Sequence, residues 1–175
     1  TGAGADSINA AANTGGASFV TGAGNDSFVG GLGAETVSGG DGDDTLLTGG
    51  GNDSVVAGDG NDSVEAGDGA DYVDGGSGAD TVDGGAGNDT FEILGGNDVV
   101  TGTTSDADTI NVYTQYSANL TVTGFNGEGA YGGDRLYFHD SFDPTTVSFS
   151  VTETAGKTVF ALHGQNYYDY YSTTI

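Results

Sequence analysis

The sequence contains no cysteine and almost no basic residues, and both absences exclude whole classes of protein. Without Cys among 175 residues, neither a disulfide framework nor a thiolate metal site can form. Only Arg135 and Lys157 are basic, against 26 Asp and Glu residues, and the formal net charge is -24. Nucleic acids and anionic lipid headgroups are bound through Lys and Arg, so neither is expected as a partner. The composition favours a cation instead.

Proline and long apolar runs are nearly absent as well. Collagen is excluded, because the chain has 35 Gly but only one Pro and its glycines keep no three-residue period. No apolar run approaches the length of a membrane span, so no span is expected. The opening TGAGADSINA is not a signal peptide, and residue 1 already lies at the start of a repeat. We therefore expect the chain to be a piece of a longer protein.

A nine-residue unit, G-G-x-G-x-D-x-U-x with U a large apolar residue, recurs without insertion from Thr21. An isolated first copy, TGAGADSIN, precedes an irregular stretch, and a ten-residue copy ending at Ile110 closes the series. Disorder would not require such strict spacing. The U residues are Phe28, Val37, Leu46, Val55, Val64, Val73, Val82, Phe91 and Val100.

Each place in the unit has a physical role. Glycine at the second and fourth places permits positive φ and a close approach of carbonyl groups to an ion. The residues x-U-x form a short strand whose apolar side chain points inward, because strand side chains alternate between two faces. One such strand cannot bury that side chain alone, whereas stacked copies form a thin continuous core.

These units resemble the RTX nonapeptide repeats of type I-secreted proteins over roughly residues 21–110. The resemblance implies an all-β fold, a right-handed parallel β-roll in which two nonapeptides make one coil. One sheet would carry Phe28, Leu46, Val64, Val82 and Val100, and the other Val37, Val55, Val73 and Phe91.

The residues supply oxygen ligands and almost no nitrogen, which favours Ca²⁺ over Zn²⁺ or Cu²⁺. The resemblance implies one ion between turns that are two repeats apart. The lower turn would give the carbonyls of places two and four and its Asp; the upper would give those of places one and three and its Asp. Six regular pairs result: Asp26–Asp44, Asp44–Asp62, Asp62–Asp80, Asp80–Asp98, Asp53–Asp71 and Asp71–Asp89.

Carried over place by place, the expected ligands follow from these pairs, for about six to eight Ca²⁺ ions. Besides the paired aspartates they are Gly22, Gly24, Gly39, Gly40, Asp41, Gly42, Gly49, Gly51, Ala57, Gly58, Asp59, Gly60, Ala66, Gly67, Asp68, Gly69, Gly75, Gly76, Ser77, Gly78, Gly84, Ala86 and Gly95. The ends of the array are weaker, because Glu35 replaces Asp opposite Asp53 and the step from Asp89 to Asp108 is one residue longer.

After Asn111 the repeat stops and longer alternating runs begin. NLTVTGF, DRLYFHD, TVSFSVTET and KTVFALHG are typical of antiparallel strands, with Asn126-Gly127 and Gly132-Gly133 as turn signals. We therefore expect two domains, a calcium-binding roll over 1–110 and an antiparallel β cap over 111–175. The end YYDYYSTTI is either a secretion signal, as the resemblance implies, or a final cap strand or interface patch.

Catalysis is not expected. His139 and His163 are the only histidines and lie in no catalytic signature; His139-Asp140 as an orienting pair is the less favoured interpretation. We expect folding to require calcium. The predicted function is a calcium-binding structural module of a secreted cell-surface protein, an S-layer subunit or adhesin. The alternative is the secretion and folding module of an exported hydrolase or toxin. Expected partners are calcium, the type I secretion machinery, and further copies of the chain or a cell-surface glycan.

Overall fold

The computed structural model describes residues 1–103, 106–113, 118–125, 134–139, 147–153, 159–162 and 168–171. Every regular element in these residues is a β-strand. The strands are β1 (Gly2–Ala3), β2 (Ser7–Asn9), β3 (Ala17–Ala23), β4 (Ser27–Val29), β5 (Glu35–Asp41), β6 (Thr45–Gly50), β7 (Ser54–Asp59), β8 (Ser63–Asp68), β9 (Tyr72–Ser77), β10 (Thr81–Ala86), β11 (Thr90–Ile93), β12 (Gly96–Thr101), β13 (Thr109–Tyr113), β14 (Ala118–Phe125), β15 (Arg135–His139), β16 (Val147–Glu153), β17 (Val159–Leu162) and β18 (Tyr168–Tyr171).

The strands form two sheets between which the chain alternates. The odd-numbered strands and β18 make a ten-stranded sheet, and the other even-numbered strands make an eight-stranded sheet. Within the described residues, all pairings are parallel except that of β17 with β18. A chain that returns to each sheet once per coil is a parallel β-solenoid, which confirms the predicted all-β roll. Its right-handed sense stays a prediction.

The apolar U residues stack in the two predicted columns. In the eight-stranded sheet Phe28 pairs with Leu46, Leu46 with Val64, Val64 with Val82 and Val82 with Val100. The corresponding column of the ten-stranded sheet runs through Val37, Val55, Val73 and Phe91. All nine side chains are buried. The predicted register of the core is therefore confirmed.

The regular strands are longer than the three residues expected, and they add a second inward column. Strand β6 runs from Thr45 to Gly50, and both Leu46 and Thr48 are fully buried. Thr48 opens the next repeat, so the first place of the unit also points inward. The Thr48 hydroxyl donates a 2.8 Å hydrogen bond to the carbonyl oxygen of Ala66. Sequence periodicity missed this column because Gly, Ala and Thr occupy most of it.

Beyond residue 110 the expected antiparallel pairing is wrong for three segments, since strands β14, β15 and β16 extend the two sheets in parallel. Strand β17, which lies in KTVFALHG, pairs in parallel with β15 and antiparallel with β18. Ile110 stacks on Phe91 and Leu136 on Ile110, so the core column continues. Alternating apolar and polar residues suit a strand of either direction, so the pattern could not identify its partner. The turn signals at 126–127 and 132–133 lie outside the described residues, and the division of domains at residue 110 stays a prediction.

Candidate metal centre

The aspartates at the sixth place of the repeat lie in two buried rows, one beside each sheet. Each is at most 3% exposed, although Asp is among the residues least often buried. The first row contains Asp26, Asp44, Asp62, Asp80 and Asp98; the second contains Asp53, Asp71 and Asp89. The structure thus brings together all the aspartates that the sequence paired.

Within a pair, the two turns are joined by a fixed set of hydrogen bonds. The amide of Asp44 donates to Oδ1 of Asp62 at 2.8 Å, and the amide of Ser63 donates to the carbonyl of Asp44 at 2.9 Å. The same amide-to-carboxylate bond, at 2.7 to 2.9 Å, joins all six predicted pairs. One carboxylate oxygen of each upper aspartate is therefore used by the protein itself.

In six of the eight paired aspartates, all but Asp80 and Asp98, the second carboxylate oxygen is buried and accepts no hydrogen bond from the part of the chain that the structure describes. Such oxygens belong to Asp26, Asp44, Asp53, Asp62, Asp71 and Asp89, and outside the regular pairs to Asp106, Asp108 and Glu35. A buried acceptor without a partner costs about 1–3 kcal/mol, and more when it is charged. A row of such atoms offers oxygen ligands to a cation, which is the property a calcium site requires.

Electrostatics also opposes negative charge in these rows. Burial raises the pKa of Asp71 and Asp98 to about 6 and that of Asp80 and Asp89 to about 7. Neighbouring carboxylates contribute to the raised pKa of Asp71, Asp80 and Asp89, and hydrogen bonds from backbone amides partly offset it. Protons or cations must therefore accompany the buried carboxylates, and near neutral pH a divalent cation can neutralise two at once.

Glycine at the second and fourth places brings backbone carbonyls into the same gaps between turns. Gly58 and Gly60 adopt φ of 121° and 141°, which other residues avoid. The Gly58 carbonyl oxygen lies so close beneath Gly76 that a Cβ there would collide with it, and Gly60 and Gly78 repeat this relationship. Only stacked glycines permit this approach. The Gly60 amide also donates to the carbonyl of Ser77 at 2.8 Å.

The donor set fits calcium. Each gap offers a carboxylate pair and backbone carbonyls, and no group of three or more His, Asp or Glu side chains suited to a metal occurs in the described residues. Ca²⁺ takes six to eight oxygen ligands from these two sources. A bound ion would supply the positive charge that compensates these buried carboxylates. The assignment of individual carbonyls as ligands stays a prediction.

At the N-terminal end the second row continues through Glu35. The Glu35 amide donates to Oδ1 of Asp53 at 2.7 Å, as in a regular pair. Its longer side chain reaches the preceding turn, where Asn13 Nδ2 donates to Oε1 at 2.7 Å. The first row likewise extends back, since the amide of Asp6 donates to Oδ1 of Asp26 at 2.7 Å. The irregular spacing of Asn13 left it unrecognised in the sequence.

At the C-terminal end the longer step does not separate Asp89 from Asp108. The Asp89 amide donates to Oδ1 of Asp108 at 2.9 Å. In the same turn Oδ2 of Asp106 accepts a 2.8 Å hydrogen bond from the amide of Gly87. In regular turns a third-place carbonyl accepts that bond, as Ala86 does from Gly69. Sequence analysis missed Asp106 because it occupies a place normally held by glycine.

The histidine considered for catalysis has a different environment. His139 Nε2 lies 3.1 Å from Oδ1 of Asn111, and its ring stacks on Tyr113 with centroids 4.7 Å apart. Asp140 and His163 lie outside the described residues. The absence of enzymatic activity stays a prediction.

Comparison with known proteins agrees with this geometry. The model of the RTX calcium-binding nonapeptide repeat, built of four copies, matches residues 11–46, 20–55, 29–64, 56–91 and 74–106. The chain belongs to this family. The matches span 11–106, more than half of the chain, and identify an RTX calcium-binding structural module. Neither curated proteins nor solved structures gave a match. In the described part of the chain, no helix is long and apolar enough to cross a membrane.

Proposed function

We propose that this RTX module belongs to a type I-secreted protein of the cell surface, an S-layer subunit or adhesin, and folds when it meets calcium outside the cell. The observation that carries the proposal is the set of buried carboxylate oxygens that accept no hydrogen bond from the described residues. Carboxylates about 5 Å apart repel by roughly 3 kcal/mol per pair at an effective dielectric near 20. Several such pairs of ionised carboxylates exceed the stability of a small domain, so at about pH 7.5 the repeats fold only with the ion.

The ligands proposed for one ion illustrate all six regular pairs. Asp62 with the carbonyls of Gly58 and Gly60 would bind from the lower turn, and Asp80 with those of Gly75 and Ser77 from the upper turn. The 2.9 Å bond from the Asp62 amide to Oδ1 of Asp80 supports this set, since it fixes one carboxylate across the gap. The same arrangement over the array corresponds to about six to eight ions.

The calcium affinity that is typical of extracellular modules supports the proposed extracellular location. Extracellular calcium modules bind at about 10⁻⁴ to 10⁻³ M, so a chain of this kind stays unfolded in the cytosol and folds after export. We further propose that residues 111–175 cap the roll, because an open end would expose unpaired strand edges.

Self-association is the proposed consequence of folding. Hydroxyl side chains stack in register on the outer face of the eight-stranded sheet, with Thr45, Ser63 and Thr81 all exposed. Calcium lowers the net negative charge that keeps copies apart. Both properties favour contacts between copies of the chain.

Light scattering and electron microscopy during a calcium titration test the assembly. We expect sheets or filaments to appear above the calcium concentration at which the chain folds, and to dissolve in chelator. A folded chain that stays monomeric at every protein concentration would contradict the S-layer function and favour the module of an exported hydrolase or toxin.

A further inference from the structure

The second carboxylate row continues past the last repeat. The amide of Asp108 donates a 2.9 Å hydrogen bond to Oδ1 of Asp134, 26 residues away. The amide of Arg135 returns a 2.7 Å bond to the carbonyl of Asp108. Asp44 and Asp62 make the same two bonds at the regular spacing of 18. A turn outside the match to the RTX repeat thus copies the geometry of a calcium pair.

Both carboxylates are removed from water. Asp108 is 2% exposed and Asp134 is 3% exposed. Oδ2 of Asp108 has no hydrogen-bond partner among the described residues. It also points in the regular direction, because a Cβ on Gly102 would collide with it just as a Cβ on Gly84 would collide with Oδ2 of Asp89. A buried oxygen without a hydrogen-bond partner among the described residues therefore belongs to this pair, as in pairs within the repeats.

The sequence around Asp134 is close to a repeat unit. Gly129, Gly132, Asp134 and Leu136 hold the spacing of the first, fourth, sixth and eighth places, and Ala130 replaces the glycine of the second place. Leu136 behaves as a U residue, because it is buried and stacks on Ile110. The segment around Asp134 therefore resembles a repeat unit both in its sequence and in its structure.

The first carboxylate row ends earlier, at Asp98, so the extension after the repeats lies beside one sheet. Asp98 pairs in register with Leu120, and Leu120 is 1% exposed. An apolar side chain there supplies no ligand for a further ion. Among the residues that the structure describes, only the row that contains Asp108 continues into the region after the repeats.

We infer that Asp108 and Asp134 bind a further Ca²⁺ ion, which fastens strand β15 to the last turn of the repeats. This inference rests on the proposed calcium function and adds a site in a region to which the repeat pattern assigns none. The ion would make the order of residues 134–139 calcium-dependent together with the roll.

Counting the bound ions tests the site. Equilibrium dialysis with elemental analysis, at saturating calcium, is applied to the full chain and to two variants whose folding is checked by circular dichroism. We expect Asp134→Asn to bind one ion fewer than the unaltered chain. Asp83→Asn removes the same charge from an exposed position on β10 and should leave the count unchanged. An undiminished count in folded Asp134→Asn would overturn the inference.

If Asp134→Asn does not fold, a crystal structure of the unaltered chain with calcium tests the site instead. Crystals grown with calcium should show an anomalous peak within about 2.3–2.6 Å of carboxylate oxygens of both Asp108 and Asp134. Peaks between Asp62 and Asp80 without one at Asp108 and Asp134 would refute this site alone. No peak in either row would refute the proposed calcium function itself.

Discussion

The amide of Asp44 donates a 2.8 Å hydrogen bond to Oδ1 of Asp62, while Oδ2 of the same carboxylate is buried without a partner among the described residues. One oxygen therefore joins successive turns and the other is left for a cation. Because each inner aspartate takes part in two pairs, its loss should affect two neighbouring gaps.

Replacing Asp62 by Asn should weaken calcium binding and lower its cooperativity. The amide side chain keeps an acceptor for the Asp44 amide but loses the charge in two gaps. We expect the calcium midpoint to rise by about tenfold, the equivalent of about 1.4 kcal/mol, in a titration followed by circular dichroism. Asp83→Asn is the matched control and should shift the midpoint little, since its side chain is exposed. Equal shifts in both variants would indicate a nonspecific effect of net charge.

Acid should stabilise the folded roll over the unfolded chain when no metal is present. Burial raises the pKa of Asp80 and Asp89 to about 7 and that of Asp108 to about 8, against 3.8 for an ordinary Asp. Between about pH 4 and pH 8 the folded chain thus binds more protons than the unfolded chain. The free energy of unfolding therefore increases as the pH falls from about 8 to about 4. Circular dichroism in chelator should show β-structure gained on acidification. With calcium present the affinity should fall over the same range, because protons compete for the carboxylates.

A metal-free chain whose spectrum stays constant between pH 8 and pH 4 would contradict this linkage. Loss of β-structure on acidification in chelator would contradict its sign.

Leu46→Ala and Leu47→Ala should differ in their free energy of unfolding, although the two residues are adjacent. Leu46 is fully buried between its stacked neighbours, whereas Leu47 lies half-buried on the outer face. Truncating a buried Leu costs about 2–5 kcal/mol, so Leu46→Ala should lower the free energy of unfolding by that amount. Denaturant unfolding at saturating calcium measures both variants. Comparable losses would mean that the inward column is assigned to the wrong face.

Gly85→Ala should prevent regular stacking of the turns. Gly85 has a φ of 83°, and a Cβ there would collide with the carbonyl oxygen of Gly67. Positive φ alone costs a non-glycine residue about 1–2 kcal/mol, and the collision with backbone adds to it. Gly15→Ala is the control, since a Cβ at Gly15 meets no atom within 4 Å. Thermal unfolding with calcium should show a large loss of stability for Gly85→Ala and little change for Gly15→Ala.

The sequence predicts the roll well where one residue type serves one role at fixed spacing. The register of Leu46 on Val64 and the pairing of Asp44 with Asp62 follow from the nine-residue repeat together with the two-repeat coil that the resemblance to RTX proteins implies. Prediction fails where spacing changes. Asp134 joins Asp108 across 26 residues, and Asn13 bonds Glu35 across 22. Such contacts depend on how far intervening chain loops out before it returns, which residue patterns do not encode.

The strands after residue 110 illustrate the same limit. Alternation in β14 and β15 identified strands correctly but not their parallel partners. The inward column that contains Thr48 was missed for another reason, since its small residues bury little apolar surface. Stacking on the preceding coil, rather than local preference, determines both features.

The most direct test of calcium as the missing partner of the buried carboxylates is circular dichroism in chelator, then in excess calcium, at pH 7.5. We predict a largely disordered chain in chelator and a cooperative appearance of β-structure with calcium. Magnesium at the same concentration should not replace it, because Mg²⁺ requires tight octahedral geometry and retains its water. A spectrum that is the same with and without calcium would contradict the account.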